Sequence, residues 1–125
     1  MSPTAPLTRR CALAAGLLCL AAFAHAQDSA PIKMIVPFGP GTTTDTISRV
    51  VAEALGKQLG QTVIAENRSG AGGSVGSDQV AKSTPDGYTF LLSVNAPLVY
   101  NTVLYKRLPY DPFRDLTPVT LAATT

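Results

Sequence analysis

An α/β fold with an open, mostly parallel sheet is predicted by three observations. Short apolar, β-rich segments alternate with helical patterns, each strand candidate runs into a loop bearing glycine or asparagine, and each loop opens the next helix. Strand followed by helix, repeated in this order, is the pattern of parallel strands joined by right-handed crossovers.

The first strand is expected over Ile32 to Phe38 (IKMIVPF), a run apolar enough to be buried on both faces and stopped by Gly39-Pro40-Gly41. A helix follows. Thr42 and Asp45 stand at capping-box spacing, Ile47, Val50, Val51, Ala54, Leu55 and Leu59 form an apolar stripe, and Gly60 closes the segment. Thr62 to Glu66 is the second strand, followed by Asn67-Arg68-Ser69 and the glycine-rich Gly70-Ala71-Gly72-Gly73. Ser74 is expected to cap a second helix running to about Lys82, within which Gly76 signals a close backbone approach. Pro85-Asp86-Gly87 is a turn leading into a third strand, Tyr88 to Val94, with Asn95 at its carboxyl end. A helix from Pro97 to about Tyr105, a proline-punctuated loop from Leu108 to Asp115 and the beginning of a fourth strand at Val119 to Ala122 complete the reading. A chain stopping just inside a strand is expected to be truncated.

Residues 1–26 are excluded from this fold. Arg9 and Arg10 precede an uncharged apolar run from Cys11 to Phe23 and then Ala24-His25-Ala26, the pattern of a secretory signal peptide cleaved after Ala26. The run has 13 residues, short of the roughly 20 a bilayer-spanning helix needs. Thr8-Arg9-Arg10 leaves both the general and the twin-arginine export routes open.

Export also removes Cys11, Cys19 and His25, so the remaining 99 residues contain neither cysteine nor histidine. Disulfides, thiolate or histidine catalysis and sites built on Cys or His ligands are thereby excluded, and no metal or cofactor is expected. Loss of Arg9 and Arg10 from ten basic residues leaves eight, against eight acidic ones, and no basic cluster points to nucleic acid.

In open α/β sheets a ligand lies beyond the carboxyl ends of the strands, near the point where strand order reverses. Gly39 to Thr44, Ser69 to Ser74, and Asn95 with Ala96 all occupy such positions. Unpaired helix N–H groups, approachable glycine backbone and hydroxyl donors suit a small carboxylate, although tight turns and helix caps require the same residues. Asp45 is expected to be structural, capping the helix or bonding loop N–H groups, and Arg68 and Glu66 to be surface residues, with Arg68 a secondary candidate for bidentate pairing with a carboxylate. The alternative is an exported, Rossmann-like cofactor-binding enzyme fragment, since Gly39-x-Gly41 and Glu66 imitate a dinucleotide fingerprint. That imitation is partial: Thr44 occupies the third glycine position, Pro40 lies between the first two, and Glu66 lies too far along.

Four motifs carry a more specific signal. Ile35-Val36-Pro37-Phe38-Gly39-Pro40-Gly41 with Asp45, Glu66-Asn67-Arg68-Ser69-Gly70-Ala71-Gly72-Gly73, Pro85-Asp86-Gly87-Tyr88-Thr89, and Leu108-Pro109-Tyr110-Asp111-Pro112 with Asp115 occur in register. Together they resemble the substrate-binding receptors of tripartite tricarboxylate transporters, the Bug-type family. The resemblance implies a non-enzymatic periplasmic receptor of the type II binding-protein fold, with two lobes closing on a small organic carboxylate for delivery to membrane transporter subunits. Residues 27–125 would then be the amino-terminal part of the first lobe, with the second absent. The positions matching the family's ligand loops are Phe38, Gly41, Thr42, Thr43, Gly72, Gly73, Ser74 and Asn95. Where the family usually has another glycine, at Pro40 or Thr42, this chain departs from the pattern.

Overall fold

The computed structural model describes residues 30–124, so the expected signal peptide lies outside the described residues. Three parallel strands form one sheet in the order β2-β1-β3: β1 is Ile32–Val36, β2 Val63–Asn67 and β3 Thr89–Leu91. The central strand is buried on both faces, because Met34 and Ile35 point to opposite sides and are 5% and 0% exposed. From β1 the chain passes outward to β2, then returns past β1 to β3, so strand order reverses at β1.

Helix α1 (Thr43–Leu59) packs on β1 and β2, and α2 (Ser74–Ala81) packs on β1 and β3. The expected cap of α1 is present: Thr42 has extended backbone, its Oγ1 accepts from the Asp45 N–H at 3.3 Å, and Gly60 is the C-cap. Its buried line differs from the expected stripe. Val50 and Leu59 are exposed, whereas Asp45, Ser48 and Ala52 are buried. Small side chains at Ser48 and Ala52 let the helix approach the sheet, and the Ser48 hydroxyl remains satisfied by donating to the Thr44 carbonyl at 2.7 Å.

Several boundaries also differ. β1 stops at Val36 instead of Phe38, because Pro37 has no N–H to continue a ladder. β2 is shifted by one residue to include Asn67. β3 is three residues long, not seven, since its only partner among the described residues is the shortened β1; the Leu92 N–H still reaches the Ile35 carbonyl at 3.0 Å.

Ser74 does not cap α2. A 3-10 turn at Ala71–Gly73 leads into that helix, Gly73 occupies the cap position, and no side chain bonds there. The expected close approach at Gly76 is present. A Cβ there would lie 2.8 Å from the Arg68 carbonyl oxygen and 3.0 Å from the Pro37 Cα, both backbone atoms.

After β3 the chain forms a π-helical turn at Ala96–Tyr100 that continues into α3 (Asn101–Leu104). Tyr110, 5% exposed, fastens the following loop by donating its hydroxyl to the Pro97 carbonyl at 2.6 Å. Within that loop, the Asp115 carboxylate accepts from the Asp111 N–H at 2.7 Å. The expected fourth strand does not form. Val119 to Ala122 pairs with no strand among the described residues, and Val119 and Leu121 are exposed.

Candidate functional site

The three loops beyond the carboxyl ends of β1, β2 and β3 come together at one end of the sheet. Gly73, with φ of 90°, lies so close to the other two loops that an added Cβ would be 2.6 Å from Pro97 Cγ and 3.3 Å from Phe38 Cζ. Phe38 from the first loop, Gly73 from the second and Pro97 from the third therefore meet at one point. The second loop is fixed from behind by Asn101, whose Nδ2 donates to the Gly72 carbonyl at 3.1 Å and to Ser74 Oγ at 2.8 Å.

The first loop is organised by Asp45, which is 4% exposed. Its Oδ2 accepts from the Gly41 N–H at 2.9 Å and from Arg49 Nε at 3.2 Å; its Oδ1 accepts from Asn67 Nδ2 at 2.9 Å. Asn67 Nδ2 also donates to the Phe38 carbonyl at 3.0 Å, lashing the first loop to the end of β2. These bonds stabilise the ionised form: Arg49 first, then Gly41 and Asn67, hold the Asp45 carboxyl at a pKa of about 2, below its ordinary 3.8. Asp45 is therefore a carboxylate throughout the neutral range.

The eight expected binding residues fall into distinct chemical states. The Gly41 N–H is taken by Asp45, and the Thr42 hydroxyl donates to the Gly39 carbonyl at 2.9 Å. Ser74 is buried and accepts from Asn101. Phe38 and Gly73 are in contact range, while Gly72 is exposed beside Asn101. Thr43 is exposed in the first turn of α1, where the N–H groups of Thr43 and Thr44 lack intrahelical acceptors. Asn95 is exposed at the start of the third loop's turn.

Asn67, Arg49, Pro97 and Asn101 were not anticipated as site residues. Asn101 had a usable signal, being the one amide side chain in a mostly apolar PLVYNTVLY run. Asn67 and Arg49 had none, because they meet across a separation that only folding closes. Arg68 is half exposed and pairs with Glu66, so the acid of the partial dinucleotide pattern is engaged by a neighbour.

A separate depression of about 260 Å³ lies beside the second loop, lined by Ser74, Val75, Asp78, Tyr105 and Arg107 among others. It contains only Ser74 of the expected residues, and it lies off the meeting point of the three loops. The strand-end loops are the better candidate for an anion, because α1 opens there with first-turn N–H groups that lack intrahelical acceptors.

Residues 47–125 match the tripartite tricarboxylate transporter family receptor. The chain is 51% identical to Protein BugT of Bordetella pertussis over 92 residues, which cover 73% of this chain and 28% of BugT. Among solved structures, MatC from Rhodopseudomonas palustris with bound malate aligns with a TM-score of 0.69 and 35% identity, over 73% of this chain and 31% of that one. The periplasmic binding protein BugD aligns with a TM-score of 0.59 and 42% identity, over 68% of this chain and 28% of BugD. The chain thus spans less than a third of the length of these relatives. A receptor family and a periplasmic binding protein do not favour the cofactor-enzyme reading. With four sequence motifs in register, a three-stranded parallel sheet whose loops converge at the strand ends, and these likenesses, the chain belongs to the tripartite tricarboxylate transporter receptor family of Bug type.

Proposed function

We propose that this chain is the first-lobe portion of a periplasmic receptor that captures a small organic carboxylate and delivers it to a membrane transporter. The observation that carries this reading is the meeting of Phe38, Gly73 and Pro97 from three strand-end loops, with α1 opening after the first of them. Such an arrangement offers an anion backbone N–H groups, the Thr43 hydroxyl and an aromatic wall, with no nucleophile or general base required. The likeness to a malate-bound protein supports the same ligand class. Thr43, Gly72 and Asn95 are the ligand contacts in this proposal, while Gly41, Thr42, Gly73, whose N–H donates to the Gly70 carbonyl, and Ser74 hold the loops in shape and Phe38 forms the wall.

Calorimetric titration of the full-length receptor with small mono-, di- and tricarboxylates, malate among them, and with nicotinamide cofactors tests the assignment. Saturable binding of at least one acid is expected, without a cofactor response. Cofactor binding alone would overturn it. The proposed export signal has its own test: intact mass of the exported protein should correspond to a chain beginning at Gln27, and retention of Met1 to Ala26 would contradict cleavage after Ala26.

A further inference from the structure

The cluster around Asp45 poses an electrostatic problem. Asp45 is the one acidic residue in the first turn of α1, where a negative charge suits the helix but neutralises its positive end and repels an incoming anion. Its carboxylate is nevertheless committed to the first loop through the Gly41 N–H. The side chain that answers this is Arg49, one turn along the same helix. Its Nε lies 3.2 Å from Oδ2 and its Nη2 3.0 Å from Oδ1, so the guanidinium engages both carboxylate oxygens. Nη2 also donates to Asn67 Oδ1 at 3.1 Å, and Asn67 in turn holds the Phe38 carbonyl.

We propose that Arg49 is a charge-compensating and positioning residue for the carboxylate site, pairing with Asp45 so that this carboxylate can shape the first loop without repelling an anionic ligand. The inference rests on the receptor reading above. Loop satisfaction alone does not require the guanidinium: Gly41 and Asn67 already supply donors to both carboxylate oxygens. Nor is Arg49 placed like a core ion-pair partner, since its side chain is 55% exposed while that of Asp45 is 6% exposed. Its distinctive contribution is therefore the positive charge it sets against Asp45 at the amino end of α1.

A double-mutant cycle in the full-length receptor tests this, with the tightest binder from a small-carboxylate panel that includes malate as probe, and circular dichroism as the check on folding. Arg49→Gln should weaken binding about fivefold, the scale of a partly exposed ion pair. Arg49→Lys keeps the charge and should retain most of the affinity. In an Asp45→Asn background, whose amide oxygen can still accept from Gly41, Arg49→Gln should have little further effect, because no charge is left to compensate. Equal losses from Arg49→Gln in both backgrounds, or a loss that Arg49→Lys does not rescue, would overturn the charge role and leave Arg49 a brace. No effect of Arg49→Gln in wild type would overturn the inference while leaving the receptor reading intact. Failure of the unmodified receptor to bind any acid in the panel would overturn the receptor reading, and this inference with it.

Discussion

At the residue scale, Asp45 is the group on which the first loop depends. A carboxyl whose folded pKa is lowered contributes stability that is fully present above its unfolded value and lost as pH falls through the folded one. For Asp45 that window runs from about 3.8 down to about 2. Acid unfolding of wild type, followed by circular dichroism, should therefore steepen over this range, and Asp45→Asn should remove that component. Thr43 tests the opposite property. Being exposed, it should tolerate Thr43→Val with an unchanged melting temperature, while loss of a hydroxyl bonded to a charged ligand should weaken carboxylate binding roughly tenfold to a hundredfold in titration. Arg68→Ala should cost less than tenfold, because that guanidinium is half exposed and paired with Glu66.

Gly73 is less separable. Its φ of 90° and the 2.6 Å approach to Pro97 mean that Gly73→Val should lower stability by about 2 kcal/mol or more as well as disrupt the meeting of the three loops. Thermal melts must accompany any affinity measured for that variant.

At the scale of elements, α1 lies against the sheet through Ser48 and Ala52 instead of through its larger apolar residues. Periodicity identified the helix but misjudged its inner face, because close packing favoured small side chains. The π-helical turn at Ala96–Tyr100 and the loop after α3 are coupled by a buried hydrogen bond, Tyr110 to the Pro97 carbonyl, and Pro97 is also the residue that meets Gly73. Tyr110→Phe should therefore destabilise the domain by about 1 kcal/mol, the net value of one hydrogen bond, measured by denaturant titration. Amide exchange should show the released loop opening more readily than β1.

Over the whole molecule, many large apolar side chains are left uncovered among the described residues. Val99, Tyr100, Val103, Leu104, Phe113, Val119 and Leu121 are all exposed, Val103 by 86% and Phe113 by 80%. Exposed apolar surface promotes association. Residues 27–125 studied alone should self-associate in sedimentation velocity, and should bind carboxylates more weakly than the full-length receptor, because closure of two lobes excludes water and adds contacts. A well-behaved monomer with micromolar affinity would contradict both expectations.

Local chemistry determined a good part of this protein by itself. The apolar run of β1, the Thr42 cap with Gly60 at the other helix end, the turn before β3 and the backbone approach at Gly76 all follow from short-range rules of sterics and hydrogen bonding. The order of strands and helices likewise placed the glycine-rich loops at one end of the sheet. Tertiary structure alone decided strand lengths, since a ladder extends only as far as its neighbour can pair, and Val119 to Ala122 has no such neighbour among the described residues. It alone also decided which site groups remain available. Gly41 donates inward to Asp45, Ser74 accepts from Asn101, and Asn67 reaches back to Phe38. Side-chain hydrogen-bond partners separated by eighteen or more residues, as Asn67 and Asn101 are from theirs, leave no periodic trace, so their roles become legible only when the sheet brings the loops together.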